Sequence, residues 1–96
     1  GPRYTRGAMQ VHVRVYATLT QRVAHNPALQ NPGPIRSGVS FKVALAEGDT
    51  IADLVAQLDL PPEEIKIAFV NARARPLDHA LQDGDEVGLF PPIGGG

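Results

Sequence analysis

The residues with the clearest chemical potential stand at the end of the chain, Phe90-Pro91-Pro92-Ile93-Gly94-Gly95-Gly96. A terminal carboxylate is an anion near neutral pH and a poor electrophile. Condensed with ATP to an acyl-adenylate, its carbonyl gains a good leaving group, and a sulfur nucleophile can then convert Gly96 to a thiocarboxylate. Glycine suits that position because a missing Cβ leaves the carbonyl accessible and lets the backbone pass a narrow channel. The six residues after Phe90, at ~3.3 to 3.6 Å each, reach roughly 20 Å, enough to enter a buried site. The bland alternative is a frayed end whose glycines do nothing.

The residues before the glycines favour the first reading. Pro91 and Pro92 favour an extended polyproline geometry, so the tail leaves as a stiff stalk and loosens only at Gly94. Phe90 is out of phase with Val87 and Leu89 and is expected to face away from the core, and Ile93 on the stalk has no core to join. Apolar residues exposed beside a working tail read as partner anchors, which makes Phe90, Pro91, Pro92 and Ile93 the expected docking elements.

Other chemistry-bearing residues read as structural. His12, His25 and His79 are scattered, without an i,i+4 pair or a carboxylate at ligand spacing, so no metal site is expected. Asp83, Asp85 and Glu86 read as an acidic turn rather than paired catalytic carboxylates, and Ser37 and Ser40 have no triad partners. Arg73 and Arg75 are expected on a solvated hairpin. The triple glycine does not join a strand to a helix and so is no phosphate-binding loop. No catalytic residue and no bound cofactor is expected.

Composition sets the bounds. The 96 residues are 43% hydrophobic, with 9 basic and 10 acidic side chains, the balance of one small globular domain rather than a disordered chain. A net charge of -1 gives no basic footprint for nucleic acid. No cysteine is present, so there is neither disulfide nor thiolate chemistry, and a reducing, cytoplasmic setting is compatible. Apolar runs such as Val43-Ala44-Leu45-Ala46 are too short to span a bilayer, and no basic-then-apolar leader opens the chain. Residues 1 to 8 precede the only methionine, Met9, begin with Gly-Pro and read as vector-derived. That leaves residues 9 to 90 as the domain and 91 to 96 as its tail.

The elements that must position the tail follow from periodicity. Val11, Val13 and Val15 alternate with Gln10, His12, Arg14 and Tyr16, the pattern of a strand covered on one side. Proline at positions 27, 32 and 34 argues against regular structure from Ala17 to Gly38 beyond a short helical turn at 18–24. A second strand is expected with Val39, Phe41, Val43 and Leu45 on one face. Ile51, Leu54, Val55 and Leu58 have helical spacing behind an N-cap at Asp49 or Thr50, and the helix is expected to run about three turns and stop at Pro61 and Pro62. A short strand with Ile67 and Phe69 on one face, an Asp83-Gly84 turn and a last strand with Val87 and Leu89 inward complete an α+β architecture. A helix after the first two strands is the order that a ubiquitin-like β-grasp domain requires, a mixed sheet packed on one main helix.

That order of elements, the segment "LQDGDEVGLFPPIGGG" and the Gly95-Gly96 end together resemble the MoaD/ThiS family of ubiquitin-like sulfur carriers, from Met9 to Gly96. The Phe90-Pro91-Pro92 element is more similar to the small subunit of molybdopterin synthase than to the thiazole-pathway carrier. The resemblance implies that a ubiquitin-activating-enzyme-like adenylyltransferase (MoeB/ThiF type) activates Gly96. It also implies that the thiocarboxylate donates sulfur in molybdopterin or tungstopterin assembly, and that the molybdopterin synthase large subunit (MoaE type) is the second partner. The protein would then be a carrier and a subunit, not an enzyme. Three alternatives stay open: a protein modifier conjugated through the same glycine, a thiamin thiazole sulfur carrier, and an inert β-grasp interaction domain.

Two features depart from the family pattern. Ala72 follows Asn71 where relatives often have Asn-Gly, so Asn71 is expected to supply the left-handed conformation of that turn. The Pro-rich segment from His25 to Pro34 is longer than the family's, and a loop of that size can mask or create a docking surface.

Overall fold

A computed structural model describes residues 7–24 and 35–92; the Pro-rich segment 25–34 and residues 93–96 lie outside the described residues. The elements in chain order are β1 (Ala8–Val15), α1 (Thr18–Ala24), β2 (Phe41–Ala46), α2 (Ile51–Gln57), a 3-10 turn (Pro62–Glu64), β3 (Ile67–Val70), β4 (Arg73–Arg75) and β5 (Glu86–Phe90). The strands form one sheet in the order β2-β1-β5-β3-β4. β1 runs antiparallel to β2 and parallel to β5, and β3 runs antiparallel to both β5 and β4. This is the ubiquitin-like β-grasp arrangement.

One face of the sheet carries the core. Val11, Val13 and Val15 of β1, Val43 and Leu45 of β2, Ala68 and Val70 of β3, and Val87 and Leu89 of β5 pack with Leu19 and Val23 of α1 and with Ile51, Leu54 and Val55 of α2. No polar or charged residue among those described is buried, so the core holds together by apolar burial alone.

Helix α2 begins where a capping box satisfies two of its orphan donors. The Asp53 amide donates to Thr50 Oγ1 at 3.2 Å, and the Thr50 amide donates to Asp53 Oδ2 at 2.8 Å. Thr50, not Asp49, is therefore the cap. The helix is seven residues long, two turns rather than the expected three, and the prolines do not end it. Asp59 turns left-handed at φ 60, which lets its amide reach Ala56 O and the Leu60 amide reach Val55 O, each at 3.0 Å. Those two bonds close the helix at its C-cap, Leu58, before Pro61 is reached, and Leu60 folds back into the core.

One further expectation is corrected, and the facing of β3 is settled. β2 starts at Phe41, and Val39, placed inward by the alternation, is 53% exposed, because the Arg36 carbonyl holds its amide in a turn. In β3 the inward residues are Ala68 and Val70, while Ile67 and Phe69 point to the opposite face. At the other end of the domain, β1 includes Ala8, paired with Ala46, and the Gly7 carbonyl accepts from the Glu47 amide. The ordered sheet thus begins one residue before Met9.

The β3–β4 hairpin turns on Asn71 at φ 51 and Ala72 at φ 71. Both central residues are left-handed, so Ala72 shares the conformation expected of Asn71 alone. Two-residue hairpin turns of this kind favour glycine, and a left-handed residue with a Cβ costs roughly 1–2 kcal/mol. Ala72→Gly is expected to stabilise the fold by about 0.5–1 kcal/mol after the greater freedom of glycine in the unfolded chain is subtracted. A thermal melt of the variant checks this, and an unchanged or lower midpoint contradicts it.

Candidate functional site

Strand β5 lies in the middle of the sheet, between β1 and β3, and the tail grows out of its end. The Phe90 carbonyl accepts the Lys66 amide at 2.8 Å. Pro91 and Pro92 have no N–H to donate, so the ladder cannot continue past Phe90 and the chain must leave the sheet there. Ile93, Gly94, Gly95 and Gly96 are outside the described residues, and of the expected docking elements the structure places Phe90, Pro91 and Pro92.

Phe90 faces away from the core, as its phase requires. Its ring stacks on Tyr16 with centroids 4.1 Å apart and planes 6° from parallel. Phe69 meets it edge-on, with centroids 5.6 Å apart and an angle of 84°. The register explains the cluster: Val15 pairs with Leu89 and Ile67 with Phe90, so the outward residues of β1, β5 and β3 come together at the end of the sheet where the tail leaves. Ile67, 38% exposed, extends the apolar patch to the side. Tyr16, Phe69 and Ile67 are the residues that sequence reasoning missed as site members. The signal for Tyr16 was its place just past β1, in phase with that strand's polar face, an aromatic ring where solvated side chains are expected.

A shallow hollow of about 440 Å³ lies beside the cluster, bounded by Arg14, Tyr16, Phe69, Glu86, Gly88 and Phe90. Arg14 Nη1 and Glu86 Oε1 are 3.1 Å apart at its rim. Both are well exposed, so the pair contributes little to stability and serves to set the shape and charge of the rim.

The remaining candidates fall where turns and strands need them. Asp83 Oδ1 accepts the Gln10 amide at 2.8 Å. Asp85 accepts the Gln82 amide at 2.8 Å through Oδ2 and the Asn71 side-chain amide at 2.9 Å through Oδ1. The acidic run therefore fixes the entry to β5. Ser37 Oγ accepts weakly from the Ala17 amide at 3.4 Å, and Arg73 and Arg75 are exposed on β4. His12 lies on the outward face of β1 and His79 in the connection between β4 and β5, where its carbonyl accepts the Ile51 amide; His25 is outside the described residues. Among the described residues no three His, Cys, Asp or Glu side chains converge on a point, and no helix is long and apolar enough to cross a membrane.

Solved structures share this arrangement. The Haloferax volcanii HVO 2177 protein superposes with a TM-score of 0.68 at 24% identity, over 100% of this chain and 99% of its own. Small archaeal modifier protein 1 of H. volcanii gives 0.62 at 20% identity, over 88% of this chain and 99% of its own. A Pyrococcus furiosus chain described as a candidate molybdopterin converting factor, subunit 1, gives 0.59 at 25% identity with the same coverages of 88% and 99%. No curated protein matches the sequence. The model of the ThiS family matches residues 32–96, which include α2, the strands of the tail side and the glycines themselves, and the chain belongs to that family of small ubiquitin-like carriers and modifiers.

Proposed function

We propose that the protein is a sulfur carrier that works through Gly96. The carboxylate oxygen attacks the α-phosphorus of ATP in the site of a ubiquitin-activating-enzyme-like adenylyltransferase, and pyrophosphate leaves. A hydrosulfide-level nucleophile then attacks the carbonyl carbon and AMP leaves, so that one oxygen of the carboxylate has been exchanged for sulfur. The thiocarboxylate is delivered to pterin cofactor assembly on a synthase large subunit. The chain supplies reach and docking in this sequence and no acid, base or nucleophile of its own, so it acts as a substrate and subunit of enzymes.

The observation that carries the reading is the tail root: a proline-terminated central strand whose last outward residue, Phe90, is held by Tyr16 and Phe69. Family membership supports it, and the description of the P. furiosus neighbour supports the pterin branch over the thiazole branch. The likeness to small archaeal modifier protein 1 keeps a second reading in view, conjugation of the same glycine to lysines.

Intact mass spectrometry after incubation with ATP, a sulfur donor and the cognate activating enzyme separates these. Replacement of one oxygen by sulfur at Gly96 is the expected result. Lysine-linked conjugates without thiocarboxylate would transfer the reading to a modifier, and the absence of any adduct with every activating enzyme of the host would overturn both.

A further inference from the structure

Gly88 stands at the middle of β5 on the outward face, opposite Arg14 of β1 and Phe69 of β3. The fold does not ask for glycine there. Unlike Gly38, Gly48 and Gly84, it is not in the left-handed region. A Cβ at this position would meet only Phe90 Cε1 at 3.6 Å and Tyr16 Cε2 at 3.8 Å, ordinary contacts with side chains. Glycine weakens the interior of a strand, and where the backbone does not require it the usual reason is close approach of something else. Gly88 is one of the residues that line the 440 Å³ hollow.

We propose that this hollow receives an apolar side chain of the adenylating enzyme, and that Gly88 is kept bare to admit it; the proposal rests on the sulfur-carrier reading above. The occupant follows from the walls. Three rings, Tyr16, Phe69 and Phe90, offer apolar surface, and the two charged residues at the rim, Arg14 and Glu86, are paired with each other. The hollow therefore asks for an uncharged group. It also shares Phe90 with the tail root, and an enzyme holding Gly96 within roughly 20 Å of that root has to lie against this end of the sheet.

The test is steady-state adenylation, followed by ATP-pyrophosphate exchange, with the full chain as the varied substrate. Gly88→Val fills the hollow with a side chain that favours strands, so its melting temperature should equal or exceed that of the wild type. Its KM should rise about tenfold or more, the size of effect expected when a central interface pocket is blocked, with kcat at saturation unchanged. Gly88→Ala should raise KM by a smaller factor and carries the test if valine disturbs the rings. Ala44→Val, on the outward face of β2 away from the hollow, should leave KM where it is. Folded Gly88 variants with wild-type KM would overturn the proposal while leaving the carrier reading intact, as would an equal rise for Ala44→Val. Failure of the wild-type chain itself to be adenylated would remove the carrier reading, and this inference with it.

Discussion

Replacing Gly95 by valine, or removing Gly96, is expected to lower adenylation by about a hundredfold or more while the melting temperature stays at the wild-type value. The two halves of this result have separate causes. Among the described residues every member of the core lies between Met9 and Leu89, and substitutions remote from packed features usually fall within about 0.5 kcal/mol. Activation depends on where one carboxylate oxygen stands. A β-branched side chain next to the reacting residue stiffens and crowds the backbone. Deletion instead draws the carboxylate back by one residue, ~3.5 Å, several times the ~1 Å misplacement that can already cost a hundredfold. ATP-pyrophosphate exchange run beside thermal melts reads both halves. Normal exchange with either altered tail would show the glycines to be inert and the proposed function wrong.

The second large effect separates two neighbouring residues. Leu89 is 0% exposed and points into the core, whereas Phe90 points out to the aromatic cluster. Leu89→Ala is expected to cost about 2–5 kcal/mol, the range for a buried leucine that leaves a cavity. This is a large share of the stability of a small domain and lowers the midpoint by roughly 10 °C or more. Phe90→Ala gives up ring contacts worth about 0.5–1.5 kcal/mol each and should leave the fold standing, yet it should weaken binding to the activating enzyme by about 2 kcal/mol or more. Melts and calorimetric titrations of both variants form the comparison. A Leu89→Ala midpoint close to wild type would contradict the packing of β5, and unchanged affinity for Phe90→Ala would contradict the docking role of the cluster.

The contrast also marks what a single sequence discloses. The inward set of β1 and β5 was legible because one face is buried and the period is two, so Val11, Val13, Val15, Val87 and Leu89 could not be misplaced without exposing a whole row. The same alternation misled at Val39, where a turn interrupts the pattern before β2; in β3 it put Ile67 and Phe69 on one face, as found, without disclosing that the smaller Ala68 takes the inner one. Helix α2 read too long because Leu58 and Leu60 continue its apolar content, whereas the stop is a backbone event at Asp59. The three exposed residues of β4 carry no hydrophobic signal. Phe90 was legible as an outward residue from its phase, but Tyr16 was not legible as its partner, since the stack exists only through the pairing of the first strand with the last.

That parallel pairing has a kinetic meaning. Arg14 and Glu86 are 72 residues apart in sequence and neighbours in space, so the centre of the sheet is assembled from the most distant parts of the domain, which is the slow kind of folding. An unfolded copy carries the same Pro-Pro-Ile-Gly-Gly-Gly sequence as a folded one, but its Tyr16 and Phe90 belong to separate stretches of chain. Under the proposed carrier role, an activating enzyme that grips the aromatic cluster before it accepts the glycines would test whether the chain between these two rings has closed, and would spend ATP only on copies that have passed.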